Sequence, residues 1–311
     1  MTRESWLEAH PYLRPLAEVC ARVERALSEA AVETPRLDPP DFEAHARDFQ
    51  AGTPLLHREP ALVSLEPAGV LTVTLVGRLA PGPPAPASTG AGTFDEEVRA
   101  LDVQLRREPD PPRCVADWLL GTNVFAPAAP GLLRFLGWTA AAGCLAPIAA
   151  AFERWRGGAG GERDERWLRA DCPMCGSLPA MAQLVGADAG RKRLLACGCC
   201  GTRWLFKRTK CPFCESDAER LSTMTVEGEA GLRIDYCESC RGYLKTYDGQ
   251  GNEALLLADW TSLHLDLLAL DRGLQRTAAS LYALEPDPPG DSEDAAVRPA
   301  GYRGITLPVR Q

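Results

Sequence analysis

Eight of the twelve cysteines stand as four Cys-x-x-Cys pairs, Cys172/Cys175, Cys197/Cys200, Cys211/Cys214 and Cys237/Cys240, and the pairs themselves repeat. Cys211/Cys214 lies 39 residues beyond Cys172/Cys175, and Cys237/Cys240 lies 40 beyond Cys197/Cys200. Within each unit 21 or 22 residues separate the two pairs. At that spacing a short strand-and-turn module brings four thiolates round one tetrahedral ion. Two metal sites follow, each local to its own repeat. An interleaved set joining Cys172/Cys175 to Cys211/Cys214 satisfies the same count; the sequential set is preferred because each repeat already carries four sulfurs.

The repeat extends past the sulfurs, since Arg193 aligns with Arg233 and Trp204 with Leu244, and both units open on Cys-Pro-x-Cys. Proline after the first ligand fixes φ, and Gly176 supplies a positive φ that turns backbone N–H groups toward sulfur. Glu215 stands at that place in the second unit. Disulfides fit poorly. The start Met1-Thr2-Arg3-Glu4-Ser5-Trp6 lacks the apolar segment of a secretory leader, and no run is expected to reach membrane-spanning length. The expectation is therefore a cytoplasmic chain without membrane insertion, where thiols stay reduced and bind metal. Cys199, matched by Ser239 in the second unit, reads as a spare residue turned outward at its knuckle. Cys20, Cys114 and Cys144 sit in apolar helical company and read as core residues.

No catalytic set accompanies the sulfurs. His10, His45, His57 and His264 are the only histidines, none lies near a nucleophile motif, and solvated or helix-surface positions are expected for each. A tetrathiolate site is closed to substrate, so the chain is not expected to be an enzyme. The formal net charge is −8, and each tetrathiolate round a divalent ion adds two more negative charges, which disfavours nucleic acid. The stretch from Arg191 to Lys210 runs against this, with seven Lys or Arg and no Asp or Glu. It reads first as charge compensation around the first site with solvated strand faces, and second as a docking face for an acidic partner or nucleic acid.

Around the modules the periodicity is helical. Residues 4–31 predict an amphipathic helix pair interrupted near Pro11 and Pro15, and 41–50 a short helix capped by Asp41 and stopped by Gly52. Residues 70–76, alternating Val70, Thr72, Thr74 and Val76 with Leu71, Val73 and Leu75, fit either a short strand or an all-apolar helical turn. Ala80 to Gly92 predicts a loop, 94–108 and 113–120 further helices, and Gly131 to Trp155 a central bundle helix kinked at Gly143 and Pro147. The predicted organisation is multi-domain α+β. It has a helical domain over 1–156, a linker over 157–168 with Gly157 to Gly161 as hinge, and metal modules over 169–209 and 210–250. A C-terminal helix over 251–275 could pack back on the bundle, and a disordered tail covers 284–311. The glycine run lacks the following Gly-Lys-Ser/Thr of a phosphate loop and reads as linker.

Several segments carry a family resemblance. Leu195 to Trp204, Lys210-Cys-Pro-Phe-Cys-Glu215, Tyr236 to Lys245, Asp171-Cys-Pro-Met-Cys-Gly-Ser-Leu-Pro179 and Ala258-Asp-Trp-Thr-Ser-Leu263 together resemble the formate dehydrogenase accessory protein FdhE family. The likeness is dense over about 165–270; before it, Gly52-Thr-Pro-Leu-Leu56 and general helical character carry it. It implies an all-helical N-terminal domain followed by two rubredoxin-like (zinc-ribbon-like) modules. It also implies Cys172, Cys175, Cys197 and Cys200 as ligands of one ion and Cys211, Cys214, Cys237 and Cys240 of the other. Iron is the ion the resemblance implies, whereas a four-sulfur cage by itself suits zinc equally. The implied role is that of a cytoplasmic, chaperone-like assembly factor acting on the catalytic subunit of respiratory formate dehydrogenase. A rubredoxin-type electron-transfer protein and a ribbon-type nucleic-acid binder are the alternatives from other classes.

Overall fold

The computed structural model describes residues 1–31, 37–57, 65–80, 92–186, 190–229 and 231–282. Among them the elements before Gly157 are helical and every strand follows it. Helix α1 (Arg3–Ala9) is capped by Thr2 and parted from α2 (Arg14–Ala30) by one 3-10 turn at Pro11–Leu13; Pro15 sits in the first turn of α2, where its missing N–H costs no helical bond. Helix α3 (Ala46–Gln50) starts later than its periodicity suggests. Asp41 accepts from the Glu43 N–H at 3.0 Å and holds the preceding residues in turns.

Helices α4 (Glu66–Leu79), α5 (Gly92–Leu105), α6 (Pro111–Leu119) and α7 (Pro130–Arg156) complete the helical part. At 70–76 the chain is helix, not strand. Leu71, Thr72, Leu75 and Val76 are all buried, and the Thr72 and Thr74 hydroxyls donate to the carbonyls of Ala68 and Val70 at 2.6 and 2.9 Å, so neither needs a solvent partner. A helix apolar on most of its faces shows no 3.6-residue period, which is why the pattern was ambiguous. Helix α7 is continuous through Gly143 and Pro147. Contrary to expectation it is long and apolar enough by composition to cross a membrane, with a mean hydropathy of 1.6 over 18 residues; half of that stretch is buried inside the protein.

Gly157 caps α7 in the left-handed region, and the glycine run folds tightly. The Gly160 N–H donates to Asp164 at 2.7 Å, and Asp164, at the head of α8 (Asp164–Trp167), forms a fully buried ion pair with Arg156. Arg156 also donates to the Arg203 carbonyl at 3.0 Å, so this turn is fastened to the sheet and is no open hinge.

Each cysteine repeat forms an antiparallel three-stranded unit: β1 (Pro179–Val185), β2 (Lys192–Cys197) and β3 (Arg203–Phe206), then β4 (Leu221–Thr225), β5 (Leu232–Cys237) and β6 (Gly242–Asp248). Arg193 and Arg233 fall on β2 and β5, and Trp204 and Leu244 on β3 and β6, so the aligned residues are equivalent in the fold. The units do not stand apart. Strands β1 and β6 pair in parallel, with Met181 opposite Lys245, giving one sheet ordered β3-β2-β1-β6-β5-β4; β7 (Gln275–Arg276) adds to β6.

The expected 251–275 helix is broken into α9 (Glu253–Leu256), a 3-10 turn at Asp259–Ser262 and α10 (Leu263–Asp271). The break has a cause in β6. Lys245, 1 % exposed, donates to Asp259 Oδ1 and Asp266 Oδ2, both at 2.6 Å, and to the Asp259 and Ser262 carbonyls at 3.1 and 3.4 Å. Tyr243 donates to Asp266 at 2.7 Å, and Arg276 pairs with both aspartates. An uninterrupted helix would not turn two backbone carbonyls and two carboxylates onto one ammonium. The Tyr-Leu-Lys and Asp-Trp-Thr-Ser segments therefore meet in one buried charge network, together with Asp266 and Arg276. The segment packs on β5 and β6 and on α1, where the Trp6 indole N–H donates to the Thr261 carbonyl at 3.1 Å. The 81–91 loop and the 284–311 tail lie outside the described residues.

Candidate metal centres

The first cluster is assembled from two knuckles: the turn entering β1 carries Cys172 and Cys175, and the β2–β3 turn carries Cys197 and Cys200. The Cys172 and Cys200 sulfurs are 3.6 Å apart, and those of Cys175 and Cys197 3.4 Å. In the second cluster the Cys211–Cys240 and Cys214–Cys237 distances are 3.8 and 3.7 Å. Four sulfurs about 2.3 Å from a tetrahedral ion stand about 3.8 Å from each other, whereas a disulfide needs about 2.05 Å. In each cluster the four sulfurs lie within 4.8 Å of one another, and every cysteine is free. The grouping is sequential, one cluster per repeat, and the interleaved set is not formed.

All four knuckles share one backbone. In each, the N–H four residues after the first cysteine donates to that cysteine's carbonyl, at 2.9 Å in Gly176, 3.2 Å in Gly201, 3.0 Å in Glu215 and 2.9 Å in Arg241. All four donors have positive φ, at 77°, 72°, 60° and 61° respectively. Glu215 thus takes the conformation that Gly176 takes freely, at some cost in strain. A second regularity was legible in the sequence yet went unread. The hydroxyl two residues after the second cysteine lies beside its sulfur: Ser177 at 3.3 Å from Cys175, Thr202 at 3.2 Å from Cys200 and Ser216 at 3.2 Å from Cys214. The fourth knuckle has Gly242, whose N–H reaches the Cys240 sulfur at 3.4 Å. Such contacts orient sulfur and spread the charge of a thiolate.

The environments differ. The first cluster lies in one apolar core with Phe49, Trp138, Phe152 and Trp167, and all four of its cysteines are buried. The Gly52–Leu56 segment closes over it, as the Leu55 and Leu56 N–H groups donate to the Pro173 and Met174 carbonyls at 3.0 and 2.9 Å. In the second cluster Cys214 is exposed and Cys240 half-buried. Four thiols this close cannot all ionise unaided. Burial pushes the Cys172 thiol well up, while hydrogen bonds from Cys172 and the neighbouring thiols hold Cys175 well down. In the second cluster burial raises Cys211, and the Ser216 hydroxyl and backbone bring Cys214 down to about 6. A lowered thiol beside a raised one offers a divalent cation its first anionic ligand, and binding then displaces protons.

Cys199 is buried, 7 % exposed, not turned out to solvent, and its N–H donates to the Cys197 sulfur at 3.4 Å. Cys20 is in the core, while Cys114 and Cys144 are only half-buried. The basic stretch is mostly absorbed internally. Arg191 pairs with Asp248, Lys192 with Glu165 and Lys210 with Asp217; Arg203 donates to Gln183 and Arg208 to the Arg191 carbonyl. Arg193 is buried, donates to the Lys207 and Lys210 carbonyls, and is held by burial at about 10. It lines the same 170 Å³ cleft as Cys211 and Cys237, so its charge serves the second cluster where the first was expected. His10 and His264 also depart from expectation, since they converge on Glu229 as a group separate from both clusters.

Comparison with known proteins places this geometry among relatives. A profile described as "FdhE, central domain" matches residues 171–208, which hold the whole first cluster. An FdhE homologue of Pseudomonas aeruginosa is 32% identical over 292 residues, 88% of this chain and 85% of that protein. One of Stutzerimonas stutzeri is 30% identical over 88% of this chain and 84% of its own. The crystal structure of the FdhE protein from Pseudomonas aeruginosa superposes with a TM-score of 0.51 and 25% identity, over 89% of this chain and 94% of that one.

Proposed function

Because the chain belongs to the FdhE family, we propose that it is a non-catalytic accessory protein of formate dehydrogenase maturation, binding the catalytic subunit of that enzyme in the cytoplasm. The observation that carries the reading is the pair of four-cysteine clusters at tetrahedral spacing, set in rigid modules against a broad helical body. Each cluster would hold one ion through Cys172, Cys175, Cys197 and Cys200, or through Cys211, Cys214, Cys237 and Cys240. Iron is the ion we favour from the family, in rubredoxin-like modules, and zinc suits the same cage. With four sulfurs bound, neither ion has a position for substrate, so its part is to lock a module or carry one electron. The exposed Cys214 supports a second reading in which the second cluster exchanges electrons with a partner.

The test is capture of the formate dehydrogenase catalytic subunit by the full chain, repeated with Cys172→Ala and Cys237→Ala. Loss of capture in a folded Cys237→Ala variant is the expected result; normal capture by both variants after metal loss would remove the modules from the interface. Anaerobic metal analysis with a visible spectrum decides the ion, because stoichiometric zinc without charge-transfer bands would end the iron assignment.

A further inference from the structure

His10 ends α1, Glu229 lies in the β4–β5 turn and His264 opens α10, yet their side chains meet in one pocket in which they are 6 %, 7 % and 15 % exposed. The His10 and His264 Nε2 atoms lie 3.0 and 2.7 Å from the same Glu229 oxygen. The other ring nitrogen of His10 faces the Trp6 carbonyl at 2.9 Å. A carbonyl only accepts, so Nδ1 carries a proton, and a neutral His10 would turn a lone pair toward the carboxylate. A lone pair facing a carboxylate oxygen needs a cation between them. A proton on His10 Nε2 would fill that gap, yet it leaves His264 Nε2, 2.7 Å from the same oxygen, buried and in no hydrogen bond. The second Glu229 oxygen is buried with no hydrogen-bond partner, as is His264 Nδ1.

We propose that His10, Glu229 and His264 form a third cation site, for one divalent ion of the zinc class, separate from the cysteine clusters. Each residue offers one ligand atom, and the three atoms lie within 4.8 Å of one another. At zinc–nitrogen and zinc–oxygen distances of about 2.0–2.1 Å the ligand atoms would stand about 3.3 Å apart, so the pocket opens by about half an ångström on binding. The Trp6 carbonyl supplies the outer hydrogen bond that fixes the tautomer of a metal-binding histidine, and the Trp6 ring stacked 3.9 Å from His10 fixes its plane. Two imidazoles and one carboxylate leave a fourth position for water or an incoming donor. Tyr12, half-exposed and set edge-on to both imidazoles, marks the solvent side. The ion would staple the N-terminal helix to the second module and to the C-terminal helix.

The test is cobalt(II) added to the full chain loaded with only two equivalents of zinc, which the four-thiolate cages take first, compared with Glu229→Gln and His264→Ala variants. Wild type should take up one equivalent with ligand-field bands free of thiolate charge transfer, and its melting temperature should rise. Both variants should lose that uptake and that rise. The difference between proteins isolates the site whatever fills the cysteine clusters, and the edge position of His264 makes its truncation the milder change if Glu229→Gln unfolds. Absence of cobalt uptake in wild type, uptake visible only as thiolate bands, or equal uptake by either folded variant would overturn the proposal.

Discussion

At the scale of single residues, the knuckles divide into those that meet the backbone requirement freely and those that are strained. Gly176 and Gly201 hold positive φ at no steric cost, whereas Glu215 and Arg241 hold it against their Cβ atoms. Glu215→Gly is therefore expected to stabilise the metal-loaded protein by about 0.5–1 kcal/mol, the strain relieved less the entropy of a freer unfolded chain. The urea midpoint measures it, and a fall would refute the strain. Gly176→Ala should cost more than Gly201→Ala. A Cβ at 176 would meet His57 Nε2 at 2.9 Å, while one at 201 meets nothing within 4 Å. Cys-Pro-x-Cys spacing foretold the cages because metal ligation by a knuckle is a local act. The Ser177, Thr202 and Ser216 hydroxyls were equally local, and only their fixed offset from the second cysteine could have pointed to them.

At the scale of elements, the buried network of Lys245, Arg276, Asp259 and Asp266 decides where the C-terminal segment turns. Lys245→Met keeps the stem and leaves two carboxylates sharing one guanidinium; a loss of about 3 kcal/mol is expected by denaturant titration. Acid should act on the same joint. Burial would raise Asp259, but Lys245 and Arg276 outweigh it and hold the carboxyl well below the ordinary range. Its folded pKa is thus depressed, so its contribution is complete above the unfolded value of about 4 and is lost as pH falls below it. The midpoint of unfolding should drop over that window in wild type and drop less in Asp259→Asn; equal pH profiles would exclude Asp259 as the cause. Element type was readable where one face is polar, as in α2, and ambiguous in α4, where burial on most faces removes the period.

At the scale of the whole molecule, the two clusters differ in what surrounds them. The first shares a core with α7 and the aromatic residues of α3 and α8; the second lies at the rim with Cys214 exposed. A chelator should therefore strip the second ion first with the helical signal kept, and release of the first should coincide with loss of tertiary structure. Simultaneous release would contradict that order. The repeat and its two metal sets were legible because each closes within about forty residues. The parallel β1–β6 joint, the shared core and the His10–Glu229–His264 pocket were not, since they join segments far apart in sequence that carry no local mark of one another. The most direct test of the account is sulfur-bound metal in the natively purified chain, counted with its eight paired thiols. The account predicts two thiolate-bound ions and none of those thiols open to alkylation, with one ion lost in Cys214→Ser. A folded chain whose eight thiols all alkylate, with no metal bound through sulfur, would contradict it.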